Sequence, residues 1–419
     1  MKVAGATLEW SYLSEMAVSA HHGGGLTIQR ILGSDLERFT RFVHLGPFAD
    51  RRAIIDEYRS RQVNLHQILR HPEVRGLRSS VSELSLKVLR RLGFRALVRE
   101  WWAGRCADYL ASTIDLNRSA WLVVPQEDLS VHVMNSLYRR KPVPYVTWMM
   151  DDHVIRWAER WQYPARYEDA FAFHLRHARR VFAISPAMAK LYKERFGVEA
   201  DVLFGPADPT DEPRYESEDA ETPVRLGYFG AVNPWQREGL ARLIQQLEKI
   251  NAVLDVFSFG GTVASLAGPR VVVRQPIAAA EVMGRMREYD GVVIALSFEA
   301  EDRNLVELNI ATKMSECLAS GTATVIVGPE YAAMVHFARV HGCAVVINDL
   351  SDPDQLAELA ALKTPRIRRQ ILQQAARTSR ETCSVAGMRK VWQRCWRDGL
   401  LVPIKDGATA SAGTLVGRV

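Results

Sequence analysis

The sequence predicts an α/β protein built of two doubly wound, Rossmann-like parallel-sheet domains that face each other across a cleft. Three observations predict it. At 419 residues the chain is too long for one ordinary core and suits two domains. Its second half alternates short, almost wholly apolar segments with amphipathic helical ones, the pattern of a parallel sheet covered on both faces. Residues 206–223, PADPTDEPRYESEDAETP, hold four prolines and seven acids against one arginine, a composition that cannot build a core. The expected organisation is an N-terminal domain over 1–205, the acidic linker 206–223 and a C-terminal domain over 224–385. A helix over 386–402 packing back on the N-terminal domain and a loose tail over 403–419 complete it.

In the N-terminal half the apolar strand candidates are 39–45, 120–125, 143–150, 180–185 and 200–204, separated by helical stretches. The C-terminal half is more legible. VRLGYFG (224–230) reads as a strand, followed by Asn233 as an N-cap and Pro234 at the first helical position. Leu240, Leu243, Ile244, Leu247 and Ile250 then form a single apolar helix face. Strands at 253–261 and 271–273, a helix at 278–289 and a strand at 291–296 come next. TKMSECLASGTATVIVG (312–328) reads as a helix running into a strand. A last strand at 343–348 precedes a helical region from about 365 to 398.

Composition excludes several classes. With 47% hydrophobic and 24% charged residues, the chain has the make-up of a globular protein, and no apolar run is long enough to span a bilayer. The start carries Glu9 and Glu15 where a signal peptide needs an apolar core, so a cytoplasmic location is expected. The five cysteines have no metal-site spacing and read as reduced thiols, Cys317 as a buried helix cysteine. Between Arg75 and Arg105, eight basic residues stand against two acids, interleaved with Leu84, Val88, Leu92, Trp101 and Trp102. Arg90, Arg91, Arg95, Trp101 and Trp102 there suit an anionic membrane surface or the acceptor side, and a packed helix with a solvated basic face fits equally. No nucleic-acid motif accompanies the charge.

Ligands of doubly wound sheets sit at the carboxyl ends of the strands. GYFGAVNP (227–234) offers glycines and a capped helix start to an anion, with Arg237 one turn in; a turn that binds nothing is the alternative. AHHGGGL (20–26) puts His21 and His22 beside three glycines ahead of the helical pattern, and Gly260-Gly261 is a weaker version of that signal. Asp151, Asp152 and His153 follow a strand, where they serve either acceptor chemistry or an N-cap. Adjacent aspartates lack the D-x-D spacing of metal-dependent transferases, so no metal is expected. Lys313 and Glu316 project from one helix face, which by itself is a helical ion pair.

Taken together these residues resemble the group 1 glycosyltransferases of GT-B fold. The pattern Lys-x-x-Glu-x-Leu-Ala-x-Gly in KMSECLASG is joined, in the right order, by HHGGG, ARRVFAISPAMAKLYKERFG (178–197), GYFG and VFSFGG. The resemblance covers most of residues 120–398 and is thinner over 1–119. It implies transfer of a hexosyl group from a nucleoside-diphosphate sugar, expected with retention, in cell-surface polysaccharide synthesis. The acceptor would be a glycan or a lipid-linked one at the inner membrane face. It further implies that Glu316 accepts from ribose hydroxyls and Lys313 faces the phosphates. Gly230, Arg237, Gly260 and Gly261 would lie along the donor, with Gly24 and Gly25 reaching across the cleft. No cofactor is implied. The family's commonest form has a further glutamate eight residues before Glu316, and that position is Leu308; Glu307 is one residue off. A sugar-nucleotide epimerase and a non-catalytic nucleotide- or glycan-binding protein share the fold and are the alternatives. A dinucleotide dehydrogenase is disfavoured, because no G-x-G-x-x-G follows a strand.

Overall fold

The structure, a computed structural model, describes residues 8–20, 23–46, 51–68, 95–151, 165–213, 215, 222–258, 261–279 and 281–397. The N-terminal strands are β1 (Glu9–Ser14), β2 (Phe39–His44), β3 (Asn64–Gln67), β4 (Ser119–Val124), β5 (Tyr145–Met149), β6 (Arg180–Ala183) and β7 (Asp201–Val202). They form one parallel sheet in the order β3-β2-β1-β4-β5-β6-β7. Helices α1 (Gly23–Leu32), α2 (Arg51–Ser60), α3 (Arg95–Thr113), α4 (Asp128–Arg140), α5 (Ala165–His177) and α6 (Pro186–Phe196) connect them.

The second sheet is also parallel, ordered β10-β9-β8-β11-β12-β13. Its strands are β8 (Val224–Phe229), β9 (Ala252–Phe257), β10 (Val271–Arg274), β11 (Gly291–Ala295), β12 (Ala323–Val327) and β13 (Val345–Ile347). Its longer helices are α7 (Pro234–Ile244), α8 (Thr312–Ala319), α9 (Ala333–His341), α10 (Pro353–Ala360), α11 (Pro365–Thr378) and α12 (Val385–Arg397). The helix expected over 278–289 is only Val282–Met286.

Strand order reverses beside β1 and β4 in the first sheet and beside β8 and β11 in the second. These are the switch points at which an open α/β sheet leaves a crevice.

β1 is central yet has no continuous apolar run. Ser11 and Ser14 interrupt it, and both are fully buried. The Ser14 hydroxyl donates to the Val124 carbonyl and accepts from the Met16 N–H (2.9 Å), so its polarity is consumed inside the sheet. β3 is a half-buried edge strand of sequence NLHQ, where an apolar face is not required.

Each sheet is packed on both faces. Trp121 and Val123 of β4 belong to a cluster on one side, whereas Ala120, Leu122 and Val124 join a larger cluster on the other. That larger cluster continues into the second domain through Leu308, Met314, Cys317 and Ile326. α12 belongs to it as well: Trp392 packs against Trp10 and Phe182, and its indole N–H donates to Asp35 (3.2 Å). Residues 206–210 lie along the second domain, with Ala207 N–H bonded to the Cys383 carbonyl (3.0 Å) and Thr210 N–H to that of Ala319 (2.8 Å).

The glycine triplet, expected ahead of the helix, is its first turn, because α1 begins at Gly23 itself. A Cβ at Gly25 would lie 2.3 Å from the Ala17 carbonyl oxygen and 2.6 Å from the Ser19 nitrogen. The helix therefore starts flush against the turn leaving β1. Gly25→Ala is expected to destabilise the protein by about 1–3 kcal/mol through backbone displacement. Urea unfolding would measure this; a midpoint unchanged from wild type would show that α1 can retreat freely.

Candidate functional site

At the C-terminal end of β8 the chain turns at Gly230, whose φ of +127° is one that residues with a side chain rarely adopt. Its N–H donates to the Phe257 carbonyl (3.0 Å). A Cβ at this position would fall 1.8 Å from the Lys313 Nζ, so the ammonium occupies the space a side chain would need. Lys313 belongs to the first turn of α8, and its Nζ lies 5.9 Å from the centre of the Tyr228 ring. Burial pulls its pKa below the usual lysine value, against the upward pull of Cys317 and Glu316.

Two helix N-termini converge on this lysine. Asn233 caps α7, Pro234 takes its first position, and the Gln236 side chain reaches back to accept from the Asn233 N–H (2.9 Å). The first turns of α7 and α8 both line a cleft of about 720 Å³, through Trp235 and Gln236 on one and Thr312 and Lys313 on the other. Pro234 has no N–H, and those of Gln236 and Met314 turn back to the Asn233 and Ala311 carbonyls, so what this wall presents to an anion is mainly the positive ends of two helix dipoles. Met16, Gly23 and Gly24 after β1, Gln126 and Glu127 after β4, and Met150 and Asp151 after β5 form the opposite wall. The cleft thus spans both switch points.

Of the residues singled out by sequence, the structure brings Gly24, Gly230, Lys313 and Asp151 together around this cleft. Gly25 lies just behind Gly24, buried against the β1 turn. Glu316 faces the other domain, where its Oε1 accepts from Arg30 of α1 (2.7 Å); Oε2 carries no hydrogen bond. Arg237 is exposed and bonds to Ser265 (3.0 Å) instead of lining the cleft. Gly261 opens a helical turn after β9.

Glu307 pairs with Arg303 (2.8 Å) and lines a separate, largely apolar groove of about 510 Å³ between α6 and α9. Leu308 is buried in the core, so neither residue carries an acid into the cleft. Trp102 is buried, whereas Trp101 is 39% exposed. His21, His22, Arg90, Arg91, Asp152, His153 and Gly260 lie outside the described residues, as does the Arg95 side chain.

All five cysteines are free and buried. Burial pushes the Cys317 thiol up to about 12, which removes it as a nucleophile at neutral pH. Among the described residues there is no group of three or more His, Cys, Asp or Glu side chains that could hold a metal ion. No helix there is long and apolar enough to cross a membrane.

Sequence reasoning missed Gln126, Glu127, Trp235, Asn309 and Arg30. The first two directly follow the apolar strand AWLVVP, and that position alone was the available signal. It also missed Glu15, which shapes this wall. The carboxylate accepts from the Gln126 N–H (3.1 Å), the Ser130 N–H (2.7 Å) and the Ser130 hydroxyl (2.9 Å), tying the β1 exit to the start of α4. Burial pushes its pKa up to about 7, although those donors pull the other way.

No protein-family model and no curated protein sequence matches the chain. Solved structures do match along nearly all of it. HepE from Anabaena, solved in complex with UDP, is 12% identical with a TM-score of 0.62, covering 93% of this chain and 100% of its own. Sucrose-phosphate synthase from Thermosynechococcus elongatus is 11% identical with a TM-score of 0.67, covering 93% and 98%. A TarM variant from S. aureus, solved with UDP among its ligands, is 9% identical with a TM-score of 0.63, covering 93% and 99%. At such identities the likeness speaks for the fold alone, and the fold is GT-B.

The Glu15 carboxyl is favoured in its protonated form by folding. Between its unfolded value near 4.5 and its folded value near 7, the native state holds a proton that the unfolded chain has lost. Its contribution to stability therefore falls as pH rises through that window. Glu15→Gln is expected to flatten the decline in urea midpoint between pH 5 and 8; parallel wild-type and variant curves would refute the assignment.

Proposed function

We propose that this protein is a glycosyltransferase that moves a hexosyl group from a nucleoside-diphosphate sugar to a glycan or lipid-linked acceptor in cell-surface polysaccharide synthesis. The observation that carries the reading is Lys313 seated in the space over Gly230, between the N-termini of α7 and α8 and opposite Asp151. A partly buried cation at the N-terminal, positive-dipole ends of two helices suits a diphosphate, and the position is the sheet's switch point. The GT-B neighbours add support, since HepE has been solved with UDP-glucose and TarM with UDP.

On this reading the bond between the anomeric carbon and the diphosphate oxygen breaks while an acceptor hydroxyl attacks the same carbon from the face the diphosphate leaves, its proton passing to the departing diphosphate oxygen. The departing diphosphate gains charge, which Lys313 and the two helix dipoles stabilise without a metal. Asp151, followed in sequence by Asp152 and His153, accepts a hydrogen bond from the acceptor hydroxyl on the N-terminal side. Glu316, held through Oε1 by Arg30, keeps Oε2 for a ribose hydroxyl. Retention of configuration is expected and is read from the anomeric coupling constant of the product.

The acceptor side also supports a peripheral place on the inner membrane face. Leu97 and Trp101 stand one turn apart on α3, 46% and 39% exposed, at the end of the basic stretch 75–105.

Thermal-shift screening is expected to show stabilisation by at least one of UDP, GDP and dTDP. Lys313→Met should raise the dissociation constant of that nucleotide by roughly ten- to a hundredfold, the loss of a charge-assisted hydrogen bond. No stabilisation by any of them, or an unchanged constant in the variant, would sink the donor site. Radiolabel from the matching sugar nucleotide should then pass to a product only when acceptor is added; conversion of the donor without acceptor would favour an epimerase. In vesicle co-sedimentation, paired Leu97→Ser and Trp101→Ser substitutions should reduce binding to anionic lipid. Equal binding to neutral vesicles would count against the membrane role.

A further inference from the structure

The donor-site reading leaves the transferred sugar without a visible protein partner, because Leu308 lies in the core and Glu307 faces the neighbouring groove. The segment between them and α8 is not helical, so successive side chains there point in unrelated directions. The next residue, Asn309, lines the cleft and is only 9% exposed. Its Nδ2 donates to the Leu305 carbonyl (3.1 Å) and points at the Asp151 carboxylate across the cleft (3.5 Å). Both neighbours are acceptors, so the amide has one orientation, with nitrogen towards them. That orientation leaves Oδ1 buried with no hydrogen-bond partner among the described residues. Buried polar atoms in native folds are almost always satisfied, so such an orphan asks for an absent ligand.

The chemistry of the orphan restricts its partner. An amide oxygen only accepts, so a phosphate oxygen cannot satisfy it, whereas a hydroxyl or an acetamido N–H can. The position agrees: Asn309 stands four residues before Lys313, which holds the phosphate end, and reaches Asp151, on the acceptor end. What lies between those ends in a bound donor is the hexosyl group. We infer that Asn309 Oδ1 accepts a hydrogen bond from a hydroxyl or acetamido group of the transferred sugar. It is the specificity-determining contact for the transferred sugar. The inference rests on the donor-site reading of the cleft.

Calorimetric titration of the full chain with UDP, UDP-glucose, UDP-galactose, UDP-N-acetylglucosamine and UDP-glucuronate separates the two claims. Wild type is expected to bind one sugar nucleotide more tightly than UDP. Asn309→Ala should cut that advantage about three- to tenfold, the worth of one neutral hydrogen bond, with UDP affinity within twofold of wild type. Glu307→Gln should leave the advantage intact. A deoxy analogue of the preferred donor, lacking the hydroxyl that is read, should bind wild type and the variant alike, a result that a merely structural role would not produce. Asn309→Ser, too short to reach, should repeat the loss if the alanine variant does not fold. An advantage that survives in the Asn309 variants, or an equal loss for UDP and the sugar nucleotide, overturns the inference and leaves the donor site standing. A wild type that binds none of the five, and none of GDP, dTDP and their hexose derivatives either, overturns both.

Discussion

No side chain fits at position 230, and the ammonium of Lys313 uses the space. Much of the cleft depends on that contact. The backbone at Gly230 needs a φ of +127°, which releases the chain from β8 into the capped start of α7. The lysine must come from the first turn of α8, so α8 has to begin where the chain leaves the Leu308–Ala311 segment. That start is set in turn by Gly205 of the N-terminal domain, where a Cβ would lie 2.8 Å from Thr312 Cα. One cation thereby couples a sheet turn, two helix starts and the exit from the other domain.

Lys313 shows how a group costly to bury is retained. Its pKa is lowered by desolvation, and what offsets the cost is modest: the Tyr228 ring at 5.9 Å and the charge of Glu316 three residues on. Glu316 is itself shared with Arg30. A largely desolvated lysine without a direct carboxylate partner is poor for stability, and an anion in the cleft would offset that cost. Asn309 is the neutral counterpart in the same cleft, with an acceptor oxygen in place of a cation left incomplete.

How much of this was legible in the sequence follows the physics of each element. The second sheet was readable because its strands are buried on both faces, as in Gly291–Ala295 and Ala323–Val327, and so are apolar throughout. The capping of α7 by Asn233 and Pro234 was readable because capping is local chemistry. β1 was not, since Ser11 and Ser14 are satisfied or buried only by its neighbours in the sheet. The GGG run is expected ahead of the helix, yet close packing against Ala17 and Ser19 makes it the helix's first turn. Lys313 and Gly230 were chosen for a resemblance, but their mutual contact, 83 positions apart, needs the fold. Arg237 and Glu307 carry the right charge for the chemistry. Glu307 lies outside regular elements, where spacing does not give side-chain direction, and Arg237 sits on a face of α7 turned to Ser265, so neither enters the cleft.

The distance between the two walls of the cleft is a matter of packing more than of charge. The Arg30–Glu316 bridge spans the domains at 2.7 Å, but its side chains remain 26% and 22% exposed, so solvent screening holds its worth to about 1 kcal/mol at most. Trp392 of α12 is 1% exposed, wedged between Trp10 and Phe182, and burying a side chain of that size contributes several times as much. Met388 and Cys395 on the same helix are buried with it, and Arg389 donates to the Arg30 carbonyl (2.8 Å) at the end of α1. α12 enters from the second domain's chain and binds the first domain's sheet, so it sets how far β8 and α8 stand from β1 and β5. The ion pair then fixes orientation within that separation. Asp151 and Asn309 meet across the cleft at 3.5 Å within the separation that the buried face of this amphipathic helix helps to set.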